Sequence, residues 1–309
     1  MPLFATPLNN WDDWFNTFQS TTAFTPLVQH IFEKEGLPMA ELENTKPGTN
    51  AVFKVGNYVI KIFAPHGLEE DFGIDASIEL FGLRWAEMHN VPAPKLIAEG
   101  AVQDTHYFRY MIMSHIPGKL LSEIQGSLSY DEKVIIGQKV REITDELNKP
   151  CENFTPIDVL QYAIDNEEWG TNEGFPISFQ TERLAYLRTL HIDEAQKVYC
   201  HGDFHAENVL VDENLDVYIV DFADAMHAPA EYEEVYVVSA LFCFEKPYIM
   251  GYYGEYNVDK IVDLCVTWLL IHAHGDGETE GHLKSAAEIT SLDVMRKRLY
   301  ALVQNEKRA

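Results

Sequence analysis

The stretch His201-Gly202-Asp203-Phe204-His205-Ala206-Glu207-Asn208-Val209-Leu210 decides how the rest of the chain is read. It follows an extended run, Gln196-Lys197-Val198-Tyr199-Cys200. A turn at Asp212-Glu213-Asn214 comes after it, then an apolar strand, Val217-Tyr218-Ile219-Val220, that ends on Asp221-Phe222. Bounded in this way, Asp203 and Asn208 share a loop, five positions apart, and Asp221 closes a neighbouring strand. One carboxylate suits orienting a hydroxyl nucleophile and taking its proton. An amide oxygen and a second carboxylate suit Mg²⁺ on a nucleotide's phosphates, because Mg²⁺ prefers oxygen ligands. Phosphoryl transfer needs that division of labour, since its catalysis rests on positioning and charge neutralisation.

The separation of Asp203 and Asn208 is that of the kinase catalytic loop, which is also followed by a metal-binding Asp-Phe element. Three elements in order carry a more specific likeness: His201-Gly202-Asp203 with Asn208, then Ile219-Val220-Asp221-Phe222-Ala223-Asp224-Ala225, then Pro229-Ala230-Glu231-Tyr232-Glu233. On these the sequence resembles the aminoglycoside phosphotransferase family of kinase-fold small-molecule kinases, and the part with Asp224 and Glu233 looks closest to its hygromycin-type members. The resemblance spans roughly residues 40–240. A second His-Gly-Asp, His274-Gly275-Asp276, follows the apolar stretch Val266–Ile271, and no Asn stands five residues beyond Asp276. It is read as structural, with Gly275 and Gly277 as helix-stop signals.

The resemblance implies an α+β, two-lobed, protein-kinase-like fold. Residues 1–113 are the small lobe of antiparallel sheet plus helix, 114–118 the hinge, and 119–309 a larger, mainly helical lobe. It implies ATP or GTP as donor, bound with Mg²⁺ in the cleft. Asp203 is then the catalytic residue, and Asn208 and Asp221 are the metal ligands. Lys61 interrupts the apolar strand Tyr58–Phe63, a position exposed by default on an alternating strand. In the family this lysine contacts phosphate and pairs with a helix glutamate, which Glu79 matches; Glu69 and Glu70 are rival partners. Pro47-Gly48-Thr49-Asn50 occupies the place of the phosphate-covering loop, where Gly48, Thr49 and Asn50 offer donors, although a simple turn reads the same. At the hinge the Ser114 carbonyl and the Ile116 amide are expected to hold the adenine ring, since Pro117 has no N–H to give.

Composition narrows the partners. The 309 residues carry a net charge of −26, which opposes nucleic acid and anionic membrane surfaces and favours a cationic partner. Residues 114–295 hold −23 of it, against −7 for residues 1–113. Four scattered cysteines without Cys-x-x-Cys spacing suit a reducing compartment. The N-terminus lacks a basic segment followed by a long apolar one, so the expectation is a cytoplasmic protein with no signal peptide.

Along the chain, residues 8–36 read as helical, with Thr25-Pro26 as a helix start and Gly36 as a stop. Trp11, Trp14, Phe15 and Phe18 read as core. A hairpin spans 51–63 around Gly56-Asn57, and two further strands cover 91–100 and 107–113. The acidic stretch Asp165-Asn166-Glu167-Glu168-Trp169 is either a solvated face or a lid whose carboxylates and indole hold a polyamine sugar. Asp224, Glu231, Asp165, Glu167 and Glu168 are the candidate acceptor residues. The acceptor that the resemblance and the charge together imply is a cationic aminoglycoside. Kinases of macrolides or other hydroxylated metabolites share the pattern. A catalytically silent binding protein predicts loss of Lys61, Asp203, Asn208 or Asp221, and all four are present.

Overall fold

Residues 2–65, 76–155, 157–166 and 168–305 are described in a computed structural model, and they fall into two compact units: 1–87 with 93–117, and 88–92 with 118–309. The first unit is built on an antiparallel sheet. Its strands are β1 (Leu42–Asn44), β2 (Ala51–Val55), β3 (Tyr58–Ile62), β4 (Leu96–Gln103) and β5 (Tyr107–Ser114), in the order β1-β2-β3-β5-β4. β4 begins at Leu96 rather than Val91, because Pro92 and Pro94 carry no N–H for a ladder.

Two helices, α1 (Trp11–Phe15) and α2 (Thr21–Glu35), cover one face of that sheet. Phe4, Trp14, Phe24, Phe32, Phe53 and Phe108 join in one apolar cluster there. Trp14 is fully buried, whereas Phe15 is 47% exposed, so the expected aromatic core takes in only part of that group. The start of α2 corrects the sequence reading. Ser20, not Thr25, is the cap, its hydroxyl accepting from the Ala23 amide, and Pro26 lies inside the helix. The helix interior tolerates this proline near its N-terminus, where Thr25 turns its own hydroxyl onto the Thr21 carbonyl. Gly36 ends the helix as expected. Opposite this packing lies α3 (Ala76–Met88), which carries Glu79.

The second unit is mainly helical: α4 (Leu121–Ile124), α5 (Tyr130–Leu147), α6 (Val159–Asp165), α7 (Ile177–Leu187), α8 (Ala230–Tyr236), α9 (Lys246–Tyr253), α10 (Val258–Trp268), α11 (Gly275–Leu283) and α12 (Leu292–Val303). α5 begins with a reciprocal cap between Ser129 and Glu132. It crosses α9 at glycines: a Cβ on Gly137 would stand 2.1 Å from the Tyr248 carbonyl oxygen, and one on Gly251 2.1 Å from that of Val134. Short strands frame the loop 201–208. β7 (Lys197–Cys200) pairs with β10 (Met226–Pro229), while β8 (Val209–Val211) lies between β6 (Lys119–Leu120) and β9 (Val217–Ile219). Gly275 opens α11 instead of stopping a helix; α10 ends earlier, at Trp268. Among the described residues no helix is long and apolar enough to cross a membrane.

Candidate functional site

The loop 201–208 is held from three sides. His201 is fully buried, and its Nε2 lies 3.0 Å from the Val220 carbonyl oxygen, just ahead of Asp221. Burial holds this imidazole below its ordinary pKa, against the pull of nearby carboxylates. Gly202 takes φ +83°, and a Cβ there would stand 1.9 Å from the Asp224 carbonyl oxygen, so the loop lies directly on the segment after Asp221. From α8, the buried Glu233 carboxylate accepts the backbone N–H groups of His201 and Gly202 through Oε2. Burial pushes Glu233 up to about 8, and the two amides oppose that rise. Through these two bonds the Glu233 carboxyl group fixes the loop.

Asp203 sits half-buried at the centre. Its Oδ2 receives Nδ2 of Asn208 at 2.9 Å and lies 3.2 Å from Nε2 of His205. Burial raises its pKa, but the hydrogen bond from His205 and the electrostatic influence of the imidazoles around it outweigh that and hold it below the usual value. Asp203 is therefore ionised at neutral pH, the state that accepts a proton. Asn208 also donates Nδ2 to the Asp203 carbonyl oxygen, at 2.9 Å. With its amide protons turned to Asp203, Asn208 has Oδ1 left for a cation. Its backbone carbonyl accepts from Val220, at 3.0 Å, which brings Asp221 alongside. Asp221 is exposed and left-handed, with φ +64°, a conformation that Asp adopts more readily than most residues. An amide oxygen and a carboxylate on these adjoining segments are of the donor type that a hard, oxygen-seeking ion takes.

Behind Asp203 three rings stack. His272 lies between Tyr232 and Tyr236, with centroids 4.3 and 4.2 Å away. Burial drives His272 down to about 3, so it is neutral. The Tyr236 hydroxyl lies beside the Asp203 carboxylate, and burial followed by the charges of Asp203 and Glu278 raises its pKa. His274, the first residue of the second His-Gly-Asp, stands 5.9 Å from Tyr236 by ring centroids. Asp276 accepts the Gly170 amide at 2.9 Å, a structural bond. The sequence alone assigns no part in this site to His205, Tyr236, His272 or His274. His205 alone had a visible signal, its place inside the loop motif.

The acceptor candidates divide. Asp224 and Glu231 are exposed, and Asp224 sits against Gly202. Asp165 and Glu168 are exposed, and Asp165 accepts from Gln161 along α6. Glu167 lies outside the described residues. The Trp169 indole cannot serve as a sugar platform: it is 2% exposed, packs on Phe175 and Phe179, and lies 4.1 Å under the Arg183 guanidinium. A buried arginine on the carbonyls of Ala163 and Leu270 makes this a core.

In the first unit, Lys61 and Glu79 form an ion pair of 2.6 Å with 6% and 2% side-chain exposure. Lys61 thus faces inward, against α3, and not to solvent as plain alternation predicts. Glu69 and Glu70 lie outside the described residues. Gly48 and Thr49 are exposed, and the Thr49 carbonyl accepts the Trp14 indole N–H at 2.8 Å. Asn50 is buried and its Oδ1 accepts from the Ala64 amide, which ties down the end of the loop. Ser114 is anchored to Lys95 by its amide and hydroxyl. His115 donates to the Asn57 carbonyl, while the Ile116 amide has no backbone partner among the described residues.

A family model described as a phosphotransferase enzyme family matches residues 48–260, more than half of the chain. No curated protein matches. Among solved structures, the GDP complex of aminoglycoside 2′-phosphotransferase-IIIa is similar at a TM-score of 0.59 and 16% identity, over 92% of this chain and 99% of that one. An amicoumacin kinase in complex with AMP-PNP, Ca²⁺ and Ami is similar at 0.55 and 13%, over 88% and 93%. An ethanolamine kinase of Plasmodium vivax is similar at 0.51 and 12%, over 96% and 93%. These likenesses are of fold, and the fold is the two-lobed kinase-like one expected from sequence.

Proposed function

The chain belongs to the phosphotransferase enzyme family, and on that premise we propose that it moves the terminal phosphoryl group of ATP or GTP to a hydroxyl of a small cationic molecule, an aminoglycoside-type antibiotic. The observation that carries the reading is the ionised Asp203 tied to Asn208, with Asp221 beside it. Asp203 takes the proton as the acceptor oxygen bonds to phosphorus, and the bond from phosphorus to the bridging oxygen breaks to release the nucleoside diphosphate. Asn208 Oδ1 and the Asp221 carboxylate are the groups for Mg²⁺, which when bound neutralises charge on the phosphates. Lys61, oriented by Glu79, binds phosphate; the Ser114 carbonyl and Ile116 amide bind the base, with Gly48, Thr49 and Asn50 in the loop over the phosphates. The hinge is 114–118, between a small lobe of 1–113 and a large one of 119–309.

The acceptor class rests on charge. Residues 114–295 carry −23, a field that gathers polycations and repels nucleic acid and anionic membranes. Asp224 is exposed with its backbone against Gly202 of the loop, and exposed Glu231 with Asp165, Glu167 and Glu168 adds to the same field. Four free cysteines accord with a cytoplasmic setting, and inactivation of an antibiotic there confers resistance. A small amino alcohol is the second reading, favoured by the likeness to an ethanolamine kinase. The test is nucleotide consumption with ATP and with GTP across kanamycin, hygromycin B, spectinomycin, a macrolide, ethanolamine and an uncharged polyol. Turnover with an aminoglycoside supports the reading. Turnover with the polyol alone discards the cationic acceptor, and none with any hydroxyl compound discards the transferase role.

A further inference from the structure

His205 has no part in the division of labour above, yet it touches the group at its centre. Its Nδ1 accepts the Glu207 backbone N–H at 3.1 Å. An Nδ1 that accepts is unprotonated, so the ring proton of the neutral imidazole is on Nε2. Nε2 lies 3.2 Å from Asp203 Oδ2 and therefore donates to it. Asn208 Nδ2 donates to the same oxygen at 2.9 Å, and the two donor nitrogens lie 3.4 Å apart. A carboxylate held by one hydrogen bond still turns about its Cβ–Cγ bond. Two donors converging on one oxygen stop that rotation and distinguish the two oxygens chemically. Tyr236 stands edge-on to the imidazole with centroids 6.4 Å apart, and its hydroxyl also lies beside the Asp203 carboxylate.

We infer that His205 is a positioning residue that, with Asn208, occupies Asp203 Oδ2 and so presents Oδ1 as the oxygen that takes the acceptor's proton. Oδ1 receives neither donor. Asn208 alone ties one side chain to both the carbonyl and the carboxylate of Asp203, and that tether shares a single nitrogen. His205 supplies a second point on that same oxygen from a separate side chain. This rests on Asp203 being the base, as proposed above, and on hydrogen-bond geometry, not on titration.

The experiment has a spectroscopic arm and a kinetic one. In full-length protein labelled with ¹⁵N-histidine, the His205 signal is assigned by its loss in His205→Gln. The expected form at mildly alkaline pH is the Nε2–H tautomer; an Nδ1–H tautomer overturns the inference. Turnover is then followed with ATP or GTP and kanamycin, or with water as acceptor where kanamycin is not turned over. His205→Phe keeps the ring and removes the donor. It should lower kcat about tenfold or more, the scale of a hydrogen bond to a charged group, with both KM values nearly unchanged. His205→Gln, which restores an N–H, should recover most of the loss. Full kcat in His205→Phe, or a loss that His205→Gln does not relieve, overturns the role. Asp203→Asn, run alongside, separates the two failures. Retained turnover there removes Asp203 as base, whereas loss confined to Asp203→Asn removes only His205. Should His205→Phe fail to fold, the tautomer of the wild-type imidazole decides.

Discussion

Glu233 reaches back across the site to hold the backbone N–H of His201, thirty-two residues earlier, on the carboxyl group of a residue that is 1% exposed. Its pKa of about 8, raised by burial and only partly opposed by the His201 and Gly202 amides, makes the clamp a pH-dependent element of stability. Between about 4.5 and 8 the unfolded chain ionises this group while the folded one keeps its proton. Its contribution is thus fully present below about 4.5 and is lost as pH rises through about 8, on the order of 5 kcal/mol across the window. Glu233→Gln keeps the accepting oxygen and cannot ionise. Its melting temperature relative to wild type should rise from pH 5 to about pH 8 and level off above that; a pH-independent difference would mean that Glu233 is ionised throughout.

Gly202 shows why the loop tolerates so little change. Alanine there meets the left-handed φ of +83° and a Cβ 1.9 Å from the Asp224 carbonyl oxygen. The backbone cost alone is about 1 kcal/mol, and the clash must be relieved by moving either the loop or the Asp221–Asp224 segment. Gly202→Ala should reduce kcat by more than its loss of thermal stability accounts for. Equal melting temperature and equal kcat would show that the loop can shift without consequence.

Much of this was legible locally. The loop motif, the hairpin at 51–62 and the helix bearing Glu79 follow from turn chemistry and periodicity over a few residues. What escaped depends on contacts between distant segments. Glu233 reads as a helix residue until α8 is set against the loop. His274 reads as part of a spurious repeat until α11 brings it to Tyr236. Trp169 reads as a surface aromatic in an acidic run until Arg183, from α7, is found lying over it. Lys61 is the reverse case. Alternation alone assigns it to solvent, and only the resemblance paired it with Glu79.

That pair makes a separable prediction. Both side chains are nearly excluded from water, so Lys61→Met or Glu79→Leu alone breaks a buried ion pair and should cost about 3–5 kcal/mol. The double variant removes both charges and should regain most of that stability, while KM for nucleotide stays high because no ammonium is left for phosphate. Denaturant midpoints and nucleotide kinetics on the three proteins test this. A double variant as unstable as the singles would mean that the pair's contribution is packing and not charge.

Asp203→Asn should lower kcat about a hundredfold or more, the scale of losing a general base, with nucleotide affinity little altered. Fluorescence titration with a nucleotide analogue and steady-state turnover measure the two separately. A variant that lost both together would indicate that the hydrogen bonds from His205 and Asn208, not the proton acceptor, were the main casualty.

The acceptor is where charge is decisive. Asp224 is exposed, and its own carbonyl oxygen lies where a Gly202 Cβ would be, so it is held within one residue of Asp203 along the loop. Its carboxylate adds to the −23 of residues 114–295. Exposed charges act through solvent and fade once the Debye length falls to a few ångströms, about 3 Å at 1 M salt against about 10 Å at 0.1 M. For a polyamine acceptor, KM should therefore rise several-fold between low and high salt, and Asp224→Asn should raise it for acceptor more than for nucleotide. The salt dependence of the variant should be shallower than that of wild type, because one of the attracting charges is gone. An uncharged alcohol bears no charge for this field to hold, so its KM should be flat in salt and indifferent to Asp224→Asn. A robust substrate with that second behaviour would leave Asp203, Asn208 and Asp221 in their roles and move the acceptor from an aminoglycoside to a neutral hydroxylated metabolite.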